Sequence, residues 1–148
     1  PFYNWQAMRD TGGRRVKRSI NIDMTSVCLM GESDVEALKG DEAIKVPMSQ
    51  ISTTTEEGAA VTNLDLYMRV INRYIDTHPR VNHTMIAMVR QLQPNEWGLP
   101  IELYFFTKDV NWVPHEHLQA EVISYIIALA PHFGIKLYQA PSGQDFKR

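Results

Sequence analysis

Hydrophobic and polar residues alternate along 16–28. Val16, Ile20, Ile22 and Met24 fall on one side and Ser19, Asn21 and Asp23 on the other, the period of a half-buried strand. Over 31–60 the pattern dissolves into acids, glycines, Pro47 and the run Ser52-Thr53-Thr54-Thr55, which leaves room for at most a short helix near 33–38. That stretch reads as a mobile insertion. At Thr62 the signal returns, because Thr62 and Asp65 match a Thr-x-x-acid cap and Leu64, Met68, Ile71 and Ile75 follow at helical spacing, ending near His78 before Pro79. Residues 84–92 form a Met-, Ile- and Val-rich run, which the loop Pro94-Asn95-Glu96-Trp97-Gly98 separates from 101–107, as in a β-hairpin. Pro114 suits a first helical position, and Leu118, Val122, Tyr125, Ile126 and Leu129 then make a helical stripe that stops over 131–134. Gly134 suits the position just past a helix end, and Ile135 and Leu137 alternate about Lys136 as a last short strand. The order β-α-β-β-α-β predicts an α+β, ferredoxin-like fold: two helices on one face of a four-stranded antiparallel sheet, with an insertion after the first strand.

In that fold the face away from the helices should be polar unless something lies on it. The central hairpin is apolar on both sides. Ile101, Leu103 and Phe105 take one face of the third strand, Tyr104 and Phe106 the other, and Met85, Ala87, Val89, Ile86 and Met88 are apolar throughout the second. Two aromatic rings with methionine beside them approach the size of patch that marks an interaction surface, so Tyr104 and Phe106 are interface candidates. Either the 31–60 insertion folds over this face, or a neighbouring domain or subunit does.

The composition is that of one globular domain, with 44% hydrophobic and 22% charged residues in 148. A net charge of −2 supplies no global field toward nucleic acid or an anionic membrane, so any such binding needs a local patch. One exists: Arg14, Arg15, Lys17 and Arg18 could face phosphates, lipid headgroups or an acidic neighbour, although a solvated strand start is the commoner reason for such a run. The lone Cys28 excludes an intramolecular disulfide and a cysteine zinc cluster, fits a reducing compartment, and reads as a small buried hydrophobe without an activating neighbour. The longest apolar stretch, 122–133, is interrupted by Ser124 and Pro131 and falls short of the roughly 20 residues that span a bilayer. The chain opens on Pro1 without an initiator Met or signal-peptide pattern, and reads as a water-soluble fragment of something longer.

No enzymatic constellation emerges. His115-Glu116-His117 places its histidines two apart, where catalytic zinc helices need four, and fits a solvated helix start. His78, His83 and His132 sit at element ends. Gly12-Gly13 precedes a strand and lacks the Lys-Ser or Lys-Thr of a phosphate loop, so a flexible turn is expected there. Catalytic residues, metal ligands and cofactor-binding residues are therefore all assigned as none. An RNA-recognition domain shares the strand order, but Ile101-Glu102-Leu103-Tyr104-Phe105-Phe106 lacks its basic-Gly-aromatic pattern.

Specific strings add to this reading. Asn4-Trp5-Gln6-Ala7-Met8, Gly12-Gly13-Arg14-Arg15-Val16-Lys17-Arg18-Ser19-Ile20 and Ile22-Asp23-Met24, then Met88-Val89-Arg90-Gln91-Leu92-Gln93-Pro94, Gly98-Leu99-Pro100-Ile101-Glu102-Leu103-Tyr104 and 133–143, resemble the cytosolic region of small-conductance mechanosensitive (MscS-like) channels, with the miniconductance, YbdG-type branch the nearest in appearance. The resemblance covers nearly the whole chain. It implies a bacterial inner-membrane channel acting in hypo-osmotic stress, with its pore upstream and this α/β domain at the cytoplasmic face. On that basis 1–15 is the tail of a preceding β-rich domain, so Tyr3 and Trp5 join the interface candidates, and 16–148 is the cytosolic domain. It further implies a homo-oligomer, a heptamer in the family, that encloses a vestibule, with Arg14, Arg15, Lys17 and Arg18 at the joint between domains. No nucleic acid is expected as partner, and the membrane only through upstream segments. The alternative is a free-standing ligand- or RNA-binding module of the same fold.

Overall fold

The computed structural model describes residues 13–140, and Tyr3 and Trp5 of the expected upstream tail lie outside them. It is an α+β fold with a three-stranded antiparallel sheet in the order β1-β3-β2, where β1 is Arg14–Ile22, β2 Met88–Gln91 and β3 Leu99–Thr107. The helices are α1 (Glu32–Lys39), α2 (Lys45–Ser49), α3 (Asn63–Thr77) and α4 (Trp112–Leu129).

The alternation fixes the register. Val16 faces Phe105 and Ile20 faces Ile101 on the inner side of β1 and β3, while Arg15 faces Phe106 and Lys17 faces Tyr104 on the outer side. Helix α3 begins where its sequence cap requires: Thr62 Oγ1 accepts from Asp65 N–H at 2.9 Å, and Asp65 accepts from Thr62 N–H at 3.0 Å. Its Leu66, Tyr67, Val70, Ile71 and Ile75 join Leu118, Val122, Ile126 and Leu129 of α4 and the inner strand residues in one core. The Tyr67 hydroxyl crosses between the helices and donates to the Ile126 carbonyl at 2.6 Å, and burial pushes its pKa far up. Gly134 ends the 3-10 turn Ala130–Phe133 in the left-handed region at φ 69°, as a residue just past a helix end does.

Several expectations need correction. The fourth strand is absent from the sheet: Ile22 and Leu137 form one isolated bridge beside β1, held by Asp23 N–H to the Lys136 carbonyl and Tyr138 N–H to the Asn21 carbonyl. No second bridge follows it, so the segment falls short of a strand. β1 stops at Ile22 because Asp23 turns the chain, its carboxylate accepting from Thr25 N–H and Oγ1–H. β2 is shorter than 84–92, since Asn82 Oδ1 binds Thr84 N–H and hydroxyl and holds that end in a turn.

Helix α4 starts at Trp112, so Pro114 is its third residue, another site where the missing N–H costs no intrahelical bond. The 31–60 stretch carries two helices, and Leu38, Ile44 and Met48 from it are buried in the core. Arg69 of α3 donates to the Ser52 and Thr54 carbonyls, and Asp41 binds His132, so this insertion is anchored to the helix layer. Cys28 is exposed and lies beyond the strand, not buried in it. Gly13 is no free turn: it is buried, and a Cβ there would collide with the Thr107 carbonyl.

Candidate interaction surface

The outer face of the sheet gathers the residues that the sequence singles out. β1 sends Arg15, Lys17 and Ser19 outward, all exposed; β3 sends Glu102, Tyr104 and Phe106. β2 adds Met88 opposite Tyr104 and Arg90 opposite Glu102. Tyr104 and Phe106 meet edge to face, with centroids 5.9 Å apart at 82°, and both remain partly exposed. The Arg15 guanidinium stands 6.0 Å from the Tyr104 centroid, on the border of cation–π contact. Glu102 is 5% exposed on this face because Arg90 lies over it, 2.9 Å from its Oε1. The pairing holds one charge of each sign at one end of the face and leaves the Arg15–Lys17 end cationic.

Not every candidate lands here. Arg18 is on the other side of β1, at the level of Leu103, and Arg14 pairs in register with Thr107 at the sheet corner. That corner contains a group the sequence reading misjudged. His115 is 5% exposed, not solvated, and its Nδ1 lies 3.0 Å from Thr107 Oγ1. Thr107 Oγ1 also lies 3.0 Å from the Asp109 carbonyl, which accepts from it. Burial foremost, and then the Arg14 charge, push the His115 pKa below the usual histidine value. His117, two residues on, is exposed, so the two rings diverge. The signal that could have found His115 is its place in the stripe: it stands three residues before Leu118 and seven before Val122.

Asn63 also escaped notice. It is 1% exposed; its Oδ1 accepts from Cys28 N–H at 2.8 Å, and its Nδ2 donates to the Ser26 and Phe133 carbonyls, each at 2.9 Å. One amide thus ties the turn after β1, the start of α3 and the end of the segment after α4. Of the remaining histidines, His78 meets Glu121 at 2.9 Å, His132 meets Asp41 at 2.8 Å and His83 Nε2 lies 2.9 Å from the His78 carbonyl, and the His132 hydrogen bond holds the Asp41 carboxyl below its usual range. Among the described residues, no three His, Cys, Asp or Glu side chains converge as metal ligands. No helix among them is long and apolar enough to cross a membrane. No family model matches the chain.

Proposed function

We propose that this chain is an assembly domain of a bacterial mechanosensitive channel of the MscS-like class, in which copies join to form the cytosolic vestibule of a pore that opens in hypo-osmotic stress. The part it plays is architectural, without a reaction of its own. The observation that carries this reading is the outer sheet face, where Tyr104 and Phe106 remain partly exposed beside exposed Arg15 and Lys17. An aromatic centre with a charged rim is the anatomy of an interface. The string resemblance supplies the class of assembly.

The ferredoxin-like fold belongs to the same reading. β3 is central between β1 and β2, and the Ile22–Leu137 bridge sets the last segment beside β1, the place a fourth strand takes in that order. The surface is tested by Tyr104→Glu and Phe106→Glu: both variants should keep the parent far-UV spectrum and thermal midpoint to within a few degrees while the assembled mass falls. The channel class is tested in cells, where the variants in the full reading frame should lose protection against hypo-osmotic shock. Unchanged mass and unchanged survival would exclude the reading.

A further inference from the structure

We propose that the outer sheet face of one copy docks head to tail on the insertion of a second copy, seating its cationic, aromatic strands on an acid-rimmed groove there. The inference rests on the assembly reading above and names the partner surface. Residues 31–60 hold seven acids against two lysines, although the whole chain carries only −2. Within them, α1 and the 53–61 segment border a groove of about 570 Å³. Met30, Val35 and Val61 line it, and Glu32 and Glu36, one turn apart on α1, stand along one side. Lys39 lines it as well and is 3.6 Å from Glu36, an exposed pair that leaves Glu32 unmatched by any described cation.

The opposing surface carries the reverse pattern. Arg15 and Lys17 form no ion pair with a described residue, and they stand in register beside the rings of Phe106 and Tyr104 on the neighbouring strand. Each surface therefore sets apolar groups beside a net charge, cationic on the sheet and anionic at the groove, where two glutamates outnumber Lys39. The insertion is anchored to the helix layer by Arg69 and His132, whereas the cations are on the far face of the sheet, so the two surfaces belong to different layers of one chain. A two-fold contact through the sheet face would set Arg15 and Lys17 against themselves. A head-to-tail contact sets them against Glu32 and Glu36, and repetition of such a contact closes a ring when the rotation permits.

Sedimentation velocity on the 148-residue chain at low salt, with Arg15→Glu/Lys17→Glu, Glu32→Lys/Glu36→Lys and an equimolar mixture of the two, tests this. Each double variant alone should self-associate roughly tenfold or more weakly than the parent, and the mixture should form mixed pairs at the parent's pairwise affinity, because each reversed surface then meets its complement. Recovery on mixing also separates lost docking from lost folding, since an unfolded variant is not rescued. A Glu32→Lys/Glu36→Lys variant that associates like the parent, or a mixture that does not recover, overturns the proposal; if Tyr104→Glu still dissociates the parent assembly, the assembly reading survives it. A parent that stays monomeric at every concentration overturns both.

Discussion

At the scale of single residues, Asn63 and His115 hold buried polar contacts that tie separate elements together. Asn63→Ala removes four hydrogen bonds from buried or half-buried backbone groups and should cost on the order of 3 kcal/mol in urea unfolding. Asn63→Asp keeps the shape but turns a carboxylate oxygen toward two carbonyls, so it should be no milder; a wild-type midpoint for it would mean that the network is unimportant. His115 makes a separate prediction about pH. Its folded pKa lies below the ordinary 6.5, so beneath that value the unfolded chain binds a proton that the native chain refuses. The contribution is complete above about 6.5 and is lost as pH falls toward the lowered value, whereas the depressed carboxyls of Asp23 and Asp41 act below 3.8. Stability curves of the parent and of His115→Gln should therefore converge as pH drops from 7 to 5; parallel curves would contradict the burial argument. Asn63 was illegible, whereas His115 shows in the sequence only through its place in the α4 stripe. A buried polar group is defined by partners distant in sequence, such as Phe133 for Asn63, and no local pattern encodes them.

At the scale of elements, legibility follows the strength of the local signal. Helix α3 was readable to its cap, because the Thr62 and Asp65 side chains close a reciprocal box and the stripe from Leu64 to Ile75 is continuous. Thr62→Ala should cost about 1 kcal/mol, read as a lower thermal midpoint with the fold unchanged. A midpoint equal to the parent's would show that tertiary packing alone sets the start of α3. The insertion was not readable. Its α1 and α2 contribute only Leu38 and Met48 to the buried core, with Ile44 from the link between them, from turns too short to build a periodic stripe, and Pro47 falls inside α2. The last strand was overread for the opposite reason, since alternation about Lys136 exists but the segment forms one isolated bridge. Of the candidate surface, Tyr104 and Phe106 were legible as one face of β3 from alternation, whereas the basic run was legible only as a patch; the β1–β3 register is what sets Arg15 and Lys17 beside the rings and Arg18 on the other side.

At the scale of the whole molecule, charge is unevenly divided between layers. The first strand is cationic, the insertion anionic, and aromatic rings fill the centre of the cationic face. A single copy anchors its acidic insertion to the helix layer, so the outer face of its sheet keeps two partly exposed rings and two exposed cations. In the docking we propose, a second copy covers both surfaces together, and the proposal of a structural role rests on that. The most direct test is the mass of the chain in solution by sedimentation equilibrium across concentration. The account predicts a weight-average mass that rises above 17.0 kDa with concentration and falls back toward it in high salt. A mass fixed at 17.0 kDa under all of these conditions would contradict it.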